Sequence, residues 1–349
     1  MTANERPHPE DETVIGPEIE ADIEQLVRDL DSTVNPELAR ELMFGAARLV
    51  ADRPDRLDMK IASAALAEMR EAFDMFRPYR DLKKVTIFGS ARTRPDDPAY
   101  ALARDVARRL AEDGWMVVTG AGPGIMMAAN EGAGRERSFG VNIRLPFEQE
   151  ANAFLAGDEK LVAMKYFFTR KLMLIKESKG FVALPGGFGT LDETFELLTL
   201  QQTGKAEPSP VVLLDVPGGT YWKHWEEFVT GELEAGGLIN PADRRQYFMA
   251  HDVGQACREI TRFWHNYHSI RYVGDRLVVR MLRPVPEHLL EEINAECGYL
   301  AVDGRILPSQ PLRPEITSDD VVDLPRLAFR YGPRHYGRLR PLIDLINTV

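Results

Sequence analysis

Phe181-Val-Ala-Leu-Pro-Gly-Gly-Phe-Gly-Thr-Leu-Asp-Glu193 is the stretch whose reading decides the fold. Four apolar residues of strand type, Phe181 to Leu184, run into a Pro-Gly-Gly turn, and a helix is expected to start at Thr190. A strand that feeds a glycine turn and then a helix is the building unit of a parallel sheet covered by helices. Gly186, Gly187 and Gly189 carry no side chains, so a ligand can approach the backbone amides. The unpaired N–H groups and positive dipole end of the new helix favour an anion such as phosphate. Arg170 precedes the loop and Glu193 follows it, which reads as a nucleotide-phosphate site with a carboxylate beside it.

Outward from this unit the alternation repeats. Strands are expected at 84–88, 115–119, 139–145, 181–184, 211–215 and 247–251. Helices are expected at 97–113, from 124 to about 133, and at 164–178, 190–202, 219–234 and 253–267. In the 97–113 helix Tyr100, Ala103, Val106, Ala107 and Leu110 share one face. Continuous apolar strands separated by helices predict an α/β fold, a doubly wound parallel sheet (Rossmann-like) over 82–268. Helices at 17–31, 35–51 and 57–77 make an N-terminal helical segment over 17–80, with Asn35 as cap and Pro36 at the first helical position. After 270 the pattern changes to strands at 276–282 and 324–331 and helices at 286–297 and 335–347, a small C-terminal α+β appendage over 270–349.

Composition narrows the class. The net charge of −11 is uneven: nine acids against Arg6 and Arg28 in residues 1–30 supply −7 and leave −4 for the rest. Residues 1–16 read as a solvated, disordered acidic tail. No positive face suits wholesale nucleic-acid binding. No apolar run approaches the roughly 20 residues that span a membrane. The opening Met-Thr-Ala-Asn-Glu-Arg-Pro-His holds no signal-peptide core. Two cysteines, Cys257 and Cys297, do not make a disulfide framework. The expectation is a cytoplasmic protein without nucleic-acid or membrane partners.

Ligands of such sheets bind at the carboxyl ends of strands. Three glycine-bearing loops fall there, Gly89-Ser90, Gly120-Ala-Gly-Pro-Gly124 and 186–190, and their convergence on one crevice is expected. The second loop approximates a dinucleotide fingerprint, but Pro123 departs from it and no acidic residue ends a strand about 20 positions on, so NAD is not expected. Arg170 lies on an apolar helix face between Phe167 and Leu174 and needs an anionic partner, either substrate or a core carboxylate. Lys171 could face solvent or the phosphate. Thr190-Leu-Asp-Glu193 matches a T-x-x-E capping box, the structural alternative to a chemical role for Glu193. Glu196 could share that role or be solvated. His265 and His268 lack a further ligand set, so no metal is expected.

These motifs together resemble the LONELY GUY (LOG) family, whose members were long labelled "possible lysine decarboxylase" and look like nucleoside 5′-monophosphate phosphoribohydrolases. The matching residues are Pro185-Gly-Gly-Phe-Gly-Thr-Leu-Asp-Glu193 (family PGGxGTxxE), Phe168-Thr-Arg170-Lys171, Gly122-Pro-Gly-Ile-Met126 with Asn130-Glu-Gly-Ala133, and Gly89-Ser90. They cover about 82–265. Phe167-Phe168-Thr169 replaces the Met-His-Glu of many short members, which also lack counterparts of 1–80 and 270–349, so the chain is similar to a long bacterial member.

The resemblance implies Arg170 and Glu193 as the catalytic pair. It implies Gly89, Ser90, Gly122, Gly124, Asn130, Lys171, Pro185, Gly186, Gly187, Gly189 and Thr190 as substrate- and phosphate-binding residues. The implied reaction is cleavage of the N-glycosidic bond of an AMP-like or cytokinin riboside 5′-monophosphate to base and ribose 5-phosphate. No cofactor and a homodimer or larger homo-oligomer are implied too. In that reaction Glu193 would stabilise positive charge on the ribose, Arg170 would position the substrate, and the amides of 186–190 and of Ser90 would hold the phosphate.

Two other functions compete. A decarboxylase would need pyridoxal phosphate on Lys165, Lys171, Lys176 or Lys179, and nothing marks one of them for it. A non-catalytic nucleotide- or cofactor-binding carrier or sensor would use the same glycine loops without hydrolysis. Arg326, Arg330, Arg334 and Arg338, with Phe329, Tyr331 and Tyr336, read either as salt-bridge partners of another subunit or the N-terminal segment, or as an effector site for a phosphorylated nucleotide.

Overall fold

The computed structural model describes residues 15–30, 35–144, 151–332 and 338–349. Most of the tail expected at 1–16, and Arg334 and Tyr336, lie outside the described residues. The chain divides into two compact units, up to Glu68 and from Met69 onward.

In the first unit, α1 (Pro17–Asp29) and α2 (Pro36–Ala51) are joined by an Arg40–Glu24 ion pair at 3.0 Å. Proline opens both helices, where the missing N–H is no loss. Asn35 stands at the cap of α2, but its side chain makes no capping hydrogen bond. The unit boundary falls within α3 (Arg56–Phe76).

The second unit is built on a seven-stranded, all-parallel sheet. Its strands are β1 (Lys84–Phe88), β2 (Met116–Thr119), β3 (Ser138–Ile143), β4 (Leu161–Met164), β5 (Gly180–Ala183), β6 (Val211–Leu214) and β7 (Tyr247–Ala250), in the order β4-β3-β2-β1-β5-β6-β7. The chain order reverses between β1 and β5, which makes their carboxyl ends the switch point of a doubly wound α/β fold. The central strands are fully buried, as their unbroken apolar runs require.

Helices α4 (Pro98–Glu112), α5 (Ile125–Ala133), α6 (Phe167–Lys176), α7 (Phe188–Gln202), α8 (Tyr221–Phe228) and α9 (Val253–Phe263) follow their strands. The expected face of α4 is buried in full, and Asp97 starts the helix by accepting the Ala99 N–H at 2.8 Å. Burying each large side chain of that face contributes about 1.5–3 kcal/mol.

Several elements differ from expectation. Strand β4 has no counterpart among the expected strands, and α6 begins three residues later than 164. Helix α7 begins at Phe188, two residues before Thr190. The 219–234 helix is α8 followed by a π-helical stretch, Val229–Glu234.

The C-terminal part carries an antiparallel sheet of order β10-β11-β9-β8, from β8 (Tyr267–Val273), β9 (Arg276–Met281), β10 (Leu307–Ser309) and β11 (Arg326–Arg330), with α10 (Glu287–Cys297), α11 (Arg313–Thr317) and α12 (Arg340–Ile346). Strands β8 and β10 were not read from the sequence. Arg280 and Arg326 are direct cross-strand partners, a pairing that like charge makes unfavourable. Glu315, wholly buried, resolves it by accepting from Arg280 Nη2 at 2.8 Å and Arg326 Nη1 at 2.6 Å.

Arg330 pairs with Asp275 and Asp303. The partners of these two arginines are therefore neighbours in the C-terminal part, not the N-terminal segment. No described helix is long and apolar enough to cross a membrane.

Candidate active site

The loops after β1, β2 and β5 meet at the switch point around a cavity of about 800 Å³. Backbone bonds knit them together. Ser90 N–H donates to the Pro185 carbonyl at 3.1 Å, and the Ser90 carbonyl accepts from Ile125 N–H at 3.0 Å. Gly124 has φ +68°, and a Cβ there would lie 2.3 Å from the Ser90 carbonyl oxygen, so only glycine lets the second loop close on the first.

Arg170 projects from α6 across the ends of β2 and β3. Its Nε donates to the Val141 carbonyl at 3.1 Å and its Nη1 to Glu193 Oε1 at 3.3 Å. Both side chains are nearly buried, 13% and 10% exposed. Burial disfavours both charged forms, but a guanidinium keeps its proton in any ordinary protein environment. The carboxyl therefore responds: burial lifts Glu193 above the usual carboxylate range, with Arg170 and Lys171 pulling it back. A carboxylate so poised can hold a hydroxyl or water and stabilise a developing cation.

The helix start decides the capping question. Gly187 is the N-cap of α7, which puts Thr190 three residues inside, its N–H donating to the Gly187 carbonyl at 3.1 Å. Glu193 is then too far into the helix to close a capping box. The N–H groups of Phe188 and Gly189 belong to the first turn and lack helical acceptors, so they open toward any anion at this end.

Of the residues expected at the site, Gly89, Ser90, Gly122, Arg170, Gly186, Gly187, Gly189, Thr190 and Glu193 line the cavity. Four do not. Lys171 turns away to ion pairs with Asp192 at 2.7 Å and Glu196 at 2.8 Å. Asn130 is fully buried beneath the second loop, accepting from Thr119 and Asn152. Gly124 and Pro185 shape the loops from behind. The Ser90 amide is also unavailable to a ligand, because it is bonded to Pro185.

Sequence reasoning missed Met126, Asn142, Phe167 and Phe188 at the cavity wall, and Tyr221, which arrives from the loop after β6. Among the described residues no lysine lines the cavity and no cluster of His, Cys, Asp and Glu could hold a metal.

The family model described as "possible lysine decarboxylase" matches residues 124–260. The chain is 32% identical over 148 residues to the probable cytokinin riboside 5'-monophosphate phosphoribohydrolase LOG6 of Arabidopsis thaliana, covering 42% of this chain and 70% of that relative. The chain belongs to the LOG family. A second LOG protein, the probable cytokinin riboside 5'-monophosphate phosphoribohydrolase LOG4 of Oryza sativa subsp. japonica, is 28% identical over 184 residues, covering 52% of this chain and 77% of that relative. Among solved structures, the molybdenum cofactor carrier protein of Chlamydomonas reinhardtii aligns at 21% identity and a TM-score of 0.35, over 52% of this chain and 96% of its own. The stretch that matches the LOG family model takes in both Arg170 and Glu193.

Proposed function

We propose that this LOG-family protein hydrolyses the N-glycosidic bond of a nucleoside 5′-monophosphate, AMP-like or a cytokinin riboside 5′-monophosphate, to free base and ribose 5-phosphate. The observation that carries the reading is the buried Arg170–Glu193 pair at the rim of a glycine-lined anion seat. A protein that only binds phosphate has no use for a carboxylate beside it. The names of the LOG relatives support the same reaction class.

The phosphate sits at the first turn of α7, and the ribose reaches toward Glu193. As the bond from C1′ to the base nitrogen breaks, its electrons leave with the base, which takes up a proton. Water adds to C1′ and loses one. Ionised Glu193 stabilises the oxocarbenium character of the ribose and holds the water or the ribose hydroxyls. Arg170 orients Glu193 and the sugar.

The reading assigns the nucleotide to the 82–268 region, treats 270–349 as an extension, and places a homodimer or larger homo-oligomer in the cytoplasm. The test is incubation with AMP, GMP, CMP and isopentenyl-AMP, following free base by chromatography. Glu193→Gln should lower turnover about 10²-fold or more. Release of base by both proteins alike refutes the assignment of Glu193. Nucleotide binding without any release by the wild type replaces hydrolysis with the carrier reading.

A further inference from the structure

The glycine turn contains one peptide that nothing in its own loop can fix. Gly186 and Gly187 are adjacent, and a peptide flanked by two glycines rotates against little steric resistance. Its neighbours are held: the Pro185 carbonyl accepts from Ser90, and the Gly187 carbonyl accepts from Thr190 and Leu191 at 3.1 and 3.2 Å. The Gly186 carbonyl is held from outside the loop, where it accepts the Tyr221 hydroxyl at 2.7 Å. A trans peptide is planar with its N–H opposed to its C=O, so the same bond sets the direction of the Gly187 N–H. That N–H belongs to the N-cap of α7, next to the orphan N–H groups of the first turn.

Tyr221 is itself fixed. It opens α8, and its backbone N–H donates to Asp215 Oδ2 at 3.1 Å, while Asp215 Oδ1 accepts the Val216 N–H at 2.8 Å. Asp215 is buried just beyond β6, and its carboxylate fills the space that a side chain at Gly219 would need. The Tyr221 ring stands edge-on to Trp222 with centroids 4.8 Å apart. Burial pushes the phenol up from its ordinary value, so the hydroxyl remains a donor at neutral pH.

We infer that Tyr221 is a positioning residue, which locks the Gly186–Gly187 peptide so that α7 presents its N-terminal amides to a phosphate monoester. The inference rests on the proposed function for the ligand's phosphate and extends it to a residue outside every motif named above.

Tyr221→Phe keeps the ring against Trp222 and removes only the hydroxyl. Calorimetric titration with ribose 5-phosphate and with inorganic phosphate should show affinity about tenfold weaker than wild type, the worth of one hydrogen bond near 1.4 kcal/mol. KM for the nucleotide should rise by a similar factor with kcat within about twofold, since a phosphate contact serves ground and transition states alike. Asp215→Asn, which loosens the hold on the Tyr221 backbone, should weaken phosphate binding in the same direction, and it decides the matter if Tyr221→Phe does not fold.

Unchanged phosphate affinity in both folded variants overturns the inference. Equal weakening toward ribose, which has no phosphate, also overturns it. A wild type that binds phosphate more tightly than the variants yet releases no base rejects the hydrolase reading and leaves the role of Tyr221 standing. A wild type that binds neither phosphate probe rejects both.

Discussion

Gly120→Ala tests how finely Arg170 is placed. Gly120 follows β2 directly, and its backbone accepts alanine without strain, yet a Cβ there would lie 2.3 Å from Arg170 Nη2 and 2.9 Å from Met126 Sδ. Non-bonded atoms of this kind settle near 3.5 Å, so the guanidinium must retreat by about 1 Å. It cannot do so freely. Its Nε is tied to the Val141 carbonyl and its side chain is nearly buried. The Glu193 contact, already long at 3.3 Å, is the bond that gives. A misplacement of about 1 Å in a positioning group costs about 10²-fold in kcat/KM, which is about 2.7 kcal/mol of transition-state stabilisation.

The assay is steady-state release of base by Gly120→Ala beside wild type, with thermal unfolding to establish that the variant is folded. The added methyl should also destabilise by about 1–3 kcal/mol through overpacking. A folded variant with turnover within about threefold of wild type would refute the reasoning, because the Arg170–Glu193 geometry would then not matter to the reaction.

Three further outcomes follow from the charges. Burial raises the Glu193 carboxyl, so kcat/KM should fall with decreasing pH along a limb that lies above the ordinary carboxylate range, and Glu193→Gln should lose that limb. The native state holds this proton more tightly than the unfolded chain. Glu193's contribution to stability is therefore present below the unfolded pKa and lost as pH rises through the folded one, so the stability of wild type relative to Glu193→Gln should decline across that window in urea titrations. A limb that persists in Glu193→Gln assigns it to another group. Glu315 runs the other way: burial alone would raise it, but the Leu312 N–H, Arg280 and Arg326 hold it below its ordinary value. Its contribution is present above the unfolded pKa and lost as pH falls through the folded one, and Glu315→Gln should cost roughly 3–5 kcal/mol near neutral pH. A loss below about 1 kcal/mol would show that Asp320 alone compensates both arginines.

The fold was legible because a parallel sheet buried on both faces leaves continuous apolar runs such as Val211–Leu214, and helices that cover it leave one-sided stripes such as that of α4. The missed strands lack those signatures for physical reasons. Leu161–Met164 is a four-residue edge strand between charged residues, Leu307–Ser309 has a proline at its centre, and Tyr267–Val273 is a half-exposed edge carrying His268, Ser269 and Arg271.

At the site, Arg170 and Glu193 could be paired by motif, and the structure brings them within 3.3 Å. Spacing alone could not separate chemistry from capping at Glu193, because the answer depends on whether α7 starts at Phe188 or Thr190, and the Gly-Phe-Gly sequence favours neither. Lys171 was ambiguous because its neighbours in space, Asp192 and Glu196, lie a helix away in sequence. Tyr221 could not be found at all: it reaches the glycine turn only because β6 lies beside β5.

Glu193 and the unpartnered amides of the first turn ride on one helix, α7. Glu193 lies six positions beyond Gly187, about 9 Å of rise at 1.5 Å per residue. On the proposed reading α7 works as a caliper: one jaw grips the phosphate and the other meets the glycosidic bond, and a continuous helix fixes the gap. A nucleoside diphosphate gripped by its terminal phosphate would carry its glycosidic bond past the second jaw. The bare nucleoside would leave the first jaw empty. Chain-length discrimination would then be a property of helix geometry rather than of any pocket wall.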